Sequence, residues 1–313
     1  MKQISLKNKK IFVAGHTGLV GKSLYKRLEK ENCKILTCTK KKVDLRDFNK
    51  TNNWLKSNKP DYIFICAARV GGILENSLYP ADFIYDNLSI ATNLIHLSYK
   101  HRVKKILYLG SSCIYPKFSK QPIKEDSLLT GSLEPTNEWY AIAKIAGLKL
   151  CKAYSAQHKC NFISAMPTNL YGPGDNFDIN SGHVLPGLIH KVFDALKSKK
   201  KTITIWGTGK PKREFLFVDD LADALVFLMK KYNKSDHINI GSNQEVNIKN
   251  LAKIISKIAD FKGNFIFDKS KPDGTPRKLI NSKKINSIGW KSKTTLFEGI
   301  KLTYEWYLKN KSK

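Results

Sequence analysis

Short apolar runs alternate with longer segments of helical period through the first half of the chain. Five of these runs are nearly continuous in apolar residues, which predicts strands covered on both faces, as in a parallel sheet between two helix layers. They are KIFVAG (10–15), CKILTCT (33–39), YIFICAA (62–68), KILYLGSS (105–112) and NFISAMPTNL (161–170). Strands and helices that alternate in this way predict an α/β fold with a doubly wound parallel Rossmann sheet.

The segments between the runs place apolar residues along one helical face, as expected for helices that pack on a sheet. These faces are formed by Val20, Leu24 and Leu28, by Ile84, Leu88, Ala91 and Ile95, and by Ile145 and Leu148 within 140–158.

The pattern changes after Tyr171. GPGDNFDINSG reads as a loop, HVLPGLIHKVFDALKS as a helix, and TITIWGTG as a short strand that ends in a turn. REFLFVDDLADALVFLMKK and HINIG predict a return to the sheet domain. We therefore expect 1–171 and 214–243 to form the Rossmann domain. We expect 172–213 and 244–313 to form a smaller C-terminal α/β domain, with a ligand cleft between the two.

Composition narrows the class of protein. The 313 residues carry a formal net charge of +29, but the 55 cations comprise 49 lysines and 6 arginines spread along the chain. Base readout and phosphate forks favour arginine, so we expect a lysine-rich solubilising surface and no nucleic-acid partner. No apolar run reaches the roughly 18 residues of a membrane span, and the start lacks a signal-peptide pattern, so we expect a cytoplasmic protein without membrane association. The six cysteines show no zinc spacing, which predicts reduced thiols and no metal site.

A glycine-rich turn follows the first predicted strand. VAGHTGLVG places Gly15, Gly18 and Gly21 at three-residue spacing between a strand and a helix. Glycine allows the tight turn and lets backbone N–H groups approach a pyrophosphate at the helix N-terminus. The spacing and position predict a dinucleotide cofactor.

The end of the second strand bears on which dinucleotide binds. NAD-binding proteins usually carry an acid there for the ribose 2′-hydroxyl, whereas this chain reads CTKKKVDL. Lys40 and Lys41 would attract a 2′-phosphate, which favours NADP over NAD; a solvated lysine turn is the alternative. Asp44 falls late for a ribose contact, and we expect it near the adenine.

YAIAK places Tyr140 and Lys144 four residues apart on one helical face. A phenol has a reference pKa of about 10, and an adjacent ammonium stabilises the phenolate, which eases proton transfer to or from a carbonyl oxygen. Ser111 follows the fourth strand in GSSCIYPK. The combination predicts chemistry on a carbonyl group.

With these motifs the chain resembles the extended short-chain dehydrogenase/reductase superfamily and, within it, the GDP-L-fucose synthase family. The resemblance runs nearly end to end, through GHTGLVG, AARVGGI, YPADFIYDN, LGSSCIYPK, LEPTNEWYAIAKIAG, MPTNLYGPGDNFD, SGHVLPGLI, KREFLFVDDLA and KPDGTPRK. It implies conversion of GDP-4-keto-6-deoxy-D-mannose to GDP-L-fucose, by epimerisation at C3 and C5 and then NADPH-dependent reduction of the C4 ketone. It also implies a nucleotide-sugar-binding second domain and a homodimer formed through 82–100 and 140–158.

The resemblance assigns roles to individual residues. Ser111, Tyr140 and Lys144 match the superfamily's catalytic triad, and Cys113 and His183 match the base and the acid of the epimerisations. The implied NADP contacts are Gly15, His16, Thr17, Gly18, Leu19, Val20, Gly21, Lys40, Lys41, Asp44, Leu45, Leu109, Gly110, Ser111, Ser112, Lys144, Pro167, Thr168, Asn169, Leu170 and His183. The implied substrate contacts are Lys191, Trp206, Arg213 and Asp273. Without the resemblance, Cys113 and Trp206 would be read as core residues.

Two alternatives stay open from the sequence. One is a simpler NAD(P)-dependent 4-epimerase or 4-reductase of another nucleotide sugar, which does not need the Cys113 and His183 pair. The other is a non-enzymatic Rossmann protein that senses a cofactor or binds nucleic acid, as the charge of +29 would allow.

Overall fold

The computed structural model describes residues 4–179, 181–271 and 273–311. The strands in these residues are β1 (Lys10–Ala14), β2 (Lys34–Leu36), β3 (Tyr62–Ile65), β4 (Lys105–Leu109), β5 (Phe162–Pro167), β6 (Asn169–Tyr171), β7 (Thr202–Trp206), β8 (Lys212–Phe217), β9 (Ile238–Ile240), β10 (Glu245–Asn247), β11 (Asn264–Asp268) and β12 (Arg277–Lys278). The α-helices are α1 (Leu19–Glu29), α2 (Phe48–Asn58), α3 (Ile73–Leu78), α4 (Pro80–Lys100), α5 (Glu138–His158), α6 (Val184–Lys197), α7 (Val218–Lys231), α8 (Ile248–Ala259), α9 (Lys283–Ser287) and α10 (Leu296–Lys311).

The larger sheet has six strands in the order β2-β1-β3-β4-β5-β9, and each neighbouring pair is parallel. From β1 the chain first adds β2 on one side and then β3 on the other side. The carboxyl ends of β1 and β3 therefore flank the crevice where doubly wound sheets bind ligands. The predicted fold class is confirmed.

Helices cover both faces of this sheet. In β1, Ile11 and Val13 pack into the core layer with α1 and α7, while Phe12 and Ala14 pack into the opposite layer with α2, α4 and α5. The side chains of Leu24 and Leu28 are fully buried, as the helical pattern predicted. This two-sided burial explains why the strands read as continuous apolar runs.

A second, smaller group of strands forms beside the main sheet. The strand β8 pairs with β6, β10 and β12, and β7 pairs with β11. A separate apolar core, which includes residues of α6, α8 and α10, lies against these strands.

Three predictions from the sequence differ from the structure. The predicted strand 161–170 is divided between two sheets. Its first part, β5, pairs with β9 as far as Thr168, whose N–H donates to Ile240 O. The chain then turns, and β6 pairs with β8. REFLF does not return to the main sheet, since β8 belongs to the smaller one; α7 and β9 do return. The predicted strand 33–39 is real but is limited to β2.

Two findings concern the described residues as a whole. None of their helices has the length and apolar character needed to cross a membrane. The six cysteines, all within these residues, are free thiols.

Candidate active site

The glycine turn after β1 is required by close packing at two positions. Gly15 has φ +87°, and a Cβ there would lie 2.6 Å from Ala67 N. A Cβ on Gly21 would lie 2.0 Å from Gly15 O. At Gly18 a Cβ would meet only Gly15 O, at an ordinary 3.6 Å. Glycine at position 18 therefore leaves the N-terminus of α1 open, as an approaching ligand requires.

The same turn fits the phosphates of a dinucleotide. Gly18 is the N-cap of α1 and has no side chain to cap the helix, so the first N–H groups are left for an anionic ligand. The buried Nδ1 of His16 has no hydrogen-bond partner among the described residues. Thr17, Leu19 and Val20 complete the turn and the start of the helix. A phosphate oxygen would satisfy these donors.

The loop after β2 carries charged side chains at the same edge of the sheet. Lys40 and Lys41 are exposed. Asp44 is held by Arg46, whose guanidinium is 3.0 Å from Oδ1 through Nε and 2.6 Å from Oδ2 through Nη2. The hydrogen bonds from Arg46 lower the pKa of Asp44 to about 2, and the charge of Lys40 acts in the same direction. Leu45 packs against the core below this loop.

The end of β4 leads directly into the catalytic segment. The Gly110 N–H donates to Ala165 O at 2.9 Å. A Cβ on Gly110 would lie 2.2 Å from Met166 Sδ, so the backbones of β4 and β5 run close here. Ser111 then begins a 3₁₀ turn, Ser112–Ile114, and its Oγ accepts a hydrogen bond from Cys113 N at 3.2 Å. This turn brings both side chains to the carboxyl end of the sheet.

Lys144 and Tyr140 project from α5 toward this turn. Lys144 is only 3% exposed, and its Nζ donates to Leu109 O at 2.8 Å and lies 5.6 Å from the centre of the Tyr140 ring. Burial lowers the pKa of Lys144 to about 8. Burial and the neighbouring Cys113 raise the pKa of Tyr140, whereas a hydrogen bond with Ser111 lowers it. Burial thus outweighs the expected stabilisation of the phenolate, and Tyr140 is a neutral phenol that can donate a proton.

Cys113 has polar neighbours that a core filler would not have. Its half-buried Sγ accepts hydrogen bonds from Asn137 Nδ2 at 3.3 Å and from Lys278 Nζ at 3.4 Å. A partly exposed thiol with polar partners is typical of a reactive cysteine rather than of an inert core one. Sequence reasoning assigned no role to Asn137 or Lys278, although both lie within the family motifs. Only the fold brings Lys278 to a cysteine 165 residues away.

His183 comes from the other side of the cleft. It is the N-cap residue of α6 and makes no side-chain cap bond, so its imidazole is not committed to the helix. The side chain is open to solvent, but the protein packed around it and the charge of Lys278 lower the pKa of the imidazole. Lys278 therefore acts electrostatically on both members of the predicted acid/base pair.

Two predicted substrate residues lie together on the smaller lobe. Trp206, at the end of β7, is 58% exposed, which rules out the reading of this tryptophan as core. Lys191 Nζ donates to Thr204 O at 2.9 Å and lies 6.0 Å from the Trp206 ring centre, and Lys271 Nζ lies 5.7 Å from the same ring. An exposed indole between two cations suits an aromatic group that carries phosphate.

Arg213 and Asp273 extend this surface. The Asp273 carboxylate accepts from Thr208 N at 2.6 Å and from Thr208 Oγ1 at 2.7 Å, and so fixes the turn after Trp206. Burial lowers the pKa of Arg213, while Glu134 and Asp273 act in the opposite direction. Arg213 therefore interacts with Asp273, and Asp273 in turn is bound to the turn next to Trp206.

The remaining predicted cofactor positions line the end of the main sheet. Thr168 Oγ1 and Asn169 Nδ2 both donate to Glu214 O, at 3.3 and 2.7 Å, where the chain passes from β5 to β6. Leu109, Ser112, Pro167 and Leu170 flank these two crossing points. Within the described residues, no three His, Cys, Asp or Glu side chains group as metal ligands would.

Comparisons with known proteins agree with this geometry. Residues 11–241 match the model of the NAD dependent epimerase/dehydratase family. The chain is 53% identical over 308 residues to GDP-L-fucose synthase 1 of Arabidopsis thaliana, covering 98% of this chain and 95% of that protein. It is 52% identical over 305 residues to GDP-L-fucose synthase of Sinorhizobium fredii, covering 97% of each chain. A solved structure, a GDP-L-fucose synthetase from Naegleria fowleri bound to NADP, superposes with a TM-score of 0.92 at 33% identity, covering 99% of this chain and 96% of that one.

Proposed function

The chain belongs to the NAD dependent epimerase/dehydratase family, and we propose that it acts as a GDP-L-fucose synthase, converting GDP-4-keto-6-deoxy-D-mannose to GDP-L-fucose with NADPH. The predicted family, enzyme class and cofactor agree with the named relatives and with the NADP-bound structure. The observation that carries the proposal is the meeting of Cys113 with Lys278 beside the Ser111, Tyr140 and Lys144 group. We propose that the Cys113 thiol serves the isomerisation and that the neighbouring donors serve the reduction.

The chain's own residues are suited to hold and orient the cofactor. Bound NADPH supplies a hydride. The turn Gly15–Gly21 would hold its phosphates, and Lys40 and Lys41 would attract a 2′-phosphate. Lys144, anchored on Leu109 O, keeps further N–H groups for a ribose hydroxyl.

Ser111 and Tyr140 are proposed to polarise the substrate ketone. Both side chains lie at the carboxyl end of β4 and interact with each other. As hydrogen-bond donors to the C4 oxygen, they stabilise the enolate that forms when C3 or C5 loses a proton. Since burial keeps the Tyr140 phenol neutral, the same group can donate its proton to the alkoxide during reduction. One polarised carbonyl thus serves both reactions.

Cys113 and His183 are proposed to carry out the two inversions. Inversion at carbon needs a base on one face of the sugar and a proton donor on the other. Cys113 receives hydrogen bonds from Asn137 and Lys278 at the sugar-binding cleft, and this polar setting supports the role of base. His183 is then the acid, and it must hold a proton although the protein packed around it and the charge of Lys278 lower its pKa. The acid step is therefore expected to weaken as the pH rises.

We also propose how the chain divides into two lobes. Residues 1–171 and 214–243 form the NADP-binding lobe, and 172–213 and 244–313 form the nucleotide-sugar lobe, with β8 as the strand that joins them.

A homodimer through α4 and α5 is proposed because these helices pack side by side and Tyr85 on α4 is 66% exposed. Sedimentation that gives a 71 kDa species, twice the 35.6 kDa chain, is expected; a 35.6 kDa species alone would contradict the dimer. A cytoplasmic location is part of the proposal.

The reaction can be tested with the full chain, NADPH and GDP-4-keto-6-deoxy-D-mannose in deuterium oxide. We expect GDP-L-fucose with deuterium at C3 and C5 and one NADPH consumed for each product. A product reduced at C4 without ring deuterium would indicate a plain 4-reductase instead. No NADPH consumption, together with salt-dependent RNA or DNA binding, would favour the non-enzymatic alternative.

Cys113→Ser separates the two reactions. We expect this variant to lose deuterium incorporation while it still oxidises NADPH slowly with the keto substrate, because Ser111, Tyr140 and Lys144 are untouched. Cys151→Ser, a change at a buried cysteine outside the site, is the matched control and should exchange normally. Normal exchange in Cys113→Ser would show that another group is the base.

A further inference from the structure

Two polar side chains from distant parts of the chain meet at Cys113. Asn137 Nδ2 lies 3.3 Å from the Cys113 Sγ, and Lys278 Nζ lies 3.4 Å from it. Asn137 ends the 3₁₀ turn Pro135–Asn137, whereas Lys278 ends β12 in the smaller group of strands. The surroundings of the proposed base therefore depend on how these two segments are held relative to each other.

One residue, Glu134, contacts both segments. It is the N-cap residue of the 3₁₀ turn, and its carbonyl oxygen accepts a hydrogen bond from Asn137 N at 3.1 Å. Its Oε2 accepts from Thr275 Oγ1 at 2.9 Å, across 141 residues of chain. Thr275 comes shortly before Lys278 in the sequence. Glu134 thus binds the turn through its backbone and the other segment through its side chain.

Further contacts fix the Glu134 carboxylate. Its side chain is 15% exposed, Lys117 Nζ lies 3.1 Å from Oε2, and Thr136 Oγ1 donates to Oε1 at 3.4 Å. Burial raises the pKa of Glu134, but the hydrogen bonds from Thr275 and Lys117 outweigh it and hold the pKa below its ordinary value. A charged carboxylate that accepts hydrogen bonds on both oxygens has little freedom to move.

The segment 273–278 is also attached to the smaller group of strands. Pro276 O accepts from Lys212 N at 2.9 Å, and β12 pairs with β8. A change at Glu134 would therefore leave this segment folded and shift it only slightly. Catalysis is sensitive to such shifts, because a displacement of about 1 Å can cost roughly 100-fold in rate.

We propose that Glu134 is a positioning residue, which keeps the two polar neighbours of Cys113 in place by linking their segments. The proposal rests on the proposed function, because it matters only if Cys113 serves the epimerisations. It differs from a general bracing role, in which loss of Glu134 would weaken the fold and would lower cofactor binding and epimerisation together.

The test measures deuterium exchange at C3 and C5 of GDP-4-keto-6-deoxy-D-mannose in deuterium oxide, with NADP⁺ in place of NADPH so that the ketone is not reduced. We expect Glu134→Ala to slow this exchange about 30-fold. Thr275→Val, which removes the donor of the same hydrogen bond, should slow it about tenfold. The dissociation constant of each variant for NADPH, measured by nicotinamide fluorescence, should stay within about twofold of the starting protein.

Two further variants show whether the hydrogen bond itself matters. Glu134→Gln keeps an oxygen that can accept from Thr275, so exchange should stay within about fivefold of the starting protein. In the double variant Glu134→Ala with Thr275→Val, exchange should be less than about threefold slower than in Glu134→Ala alone, because both changes remove the same bond.

Glu31→Ala is the matched control. Glu31 is 11% exposed and pairs with Arg27 at 2.8 Å and with Lys230 at 2.5 Å. It precedes β2, at the amino end of the main sheet, whereas Cys113 follows the carboxyl end of β4. Exchange in this variant should stay within about twofold of the starting protein. Thermal unfolding of every variant measures how much each carboxylate braces the fold.

Normal exchange in Glu134→Ala or in Thr275→Val would overturn the proposal. So would an equal loss of exchange and of NADPH affinity in Glu134→Ala, which is the result expected of a brace. A Glu134→Gln variant as slow as Glu134→Ala, or a double variant in which the two losses multiply, would also contradict it. Failure of the proposed function is visible separately, because the unaltered protein would then incorporate no deuterium at C3 or C5.

Discussion

The two ends of β4 each hold a buried lysine amino group, and the two lysines behave differently. Lys105 begins the strand and is fully buried, while the Nζ of Lys144 lies at the other end, on Leu109 O. Burial lowers the pKa of both ammonium groups, to about 7 for Lys105 and about 8 for Lys144. By burial and pKa alone, neither lysine would be distinguished as functional.

The difference lies in how many hydrogen bonds each ammonium makes. Lys105 Nζ has four oxygens within 3.1 Å, the carbonyls of Leu228, Met229 and Tyr232 and Oδ1 of Asn233. Its three N–H groups are fully used at the C-terminus of α7. Lys144 makes one hydrogen bond within the described part of the chain. A buried cation with unused donors beside a cleft is prepared for a ligand, whereas a saturated one serves the fold.

The largest expected effect is that of Lys144→Met on catalysis. Reduction of the keto substrate should slow about 1,000-fold, because the variant loses both the proposed cofactor contact and the charge beside Tyr140. The free energy of unfolding should change by less than about 1 kcal/mol, since an apolar side chain of similar length replaces a poorly solvated cation. NADPH oxidation and urea unfolding measure the two effects. A stability loss as large as that of Lys105→Met would break the comparison.

Lys105→Met should show the opposite pattern. Four oxygens would lose a donor in a buried place, although Leu228 O keeps the Tyr232 N–H and Asn233 Oδ1 keeps Asn161 Nδ2. We expect a cost of about 2 kcal/mol of unfolding free energy. The rate constant kcat at 20 °C should stay within about twofold of the starting protein, because Lys105 is at the strand end away from the site. Urea unfolding and NADPH oxidation on the folded protein are the measurements. A large loss of kcat with normal stability would contradict this role.

Tyr140→Phe sharpens the comparison when it is combined with each lysine variant. Alone, it should lower the rate of reduction about 100-fold by removing the proton donor. Added to Lys144→Met it should lower the rate by less than about threefold more, because the two groups act as a unit. Added to Lys105→Met it should keep its full effect, as independent sites do. Equal effects in both backgrounds would mean that Lys144 does not work through Tyr140.

The smallest expected effect concerns a third lysine, Lys278, which lies on the opposite side of the cleft. The protein packed around the exposed His183 and then the Lys278 charge lower the pKa of its imidazole. Lys278→Met removes this charge and should therefore raise the pKa of His183. Since the acid form of His183 is lost as the pH rises through its pKa, the acid form should persist to higher pH in the variant. It should move the fall in deuterium exchange at C3 and C5 about half a pH unit upward. Exchange rates between pH 5 and 9 test the shift.

Lys283→Met, a change at an exposed residue of the same segment, is the control for Lys278→Met and should leave the pH profile in place. An unchanged profile in Lys278→Met would show that its charge does not act on the imidazole during exchange.

The sequence alone predicted the main sheet because two-sided burial produces continuous apolar strands. It failed at Thr168, where a local pattern cannot show that a chain moves from one sheet to another. It also failed at β8, whose apolar run resembles those of the main sheet. Which sheet a strand joins depends on partners that are distant in the chain.

In the candidate site, too, local sequence patterns were predictable and contacts between distant parts of the chain were not. The glycine turn, the Tyr140 and Lys144 spacing and the Ser111 segment are local patterns, and local geometry fixes what they can do. The sequence therefore determined the cofactor class, the carbonyl chemistry and the family. Only the tertiary structure decided that Lys278 meets Cys113, that Arg46 meets Asp86 on α4, and that Lys105 is saturated while Lys144 is not. These are pairings across long stretches of chain, and the packing of whole elements sets the distances between them.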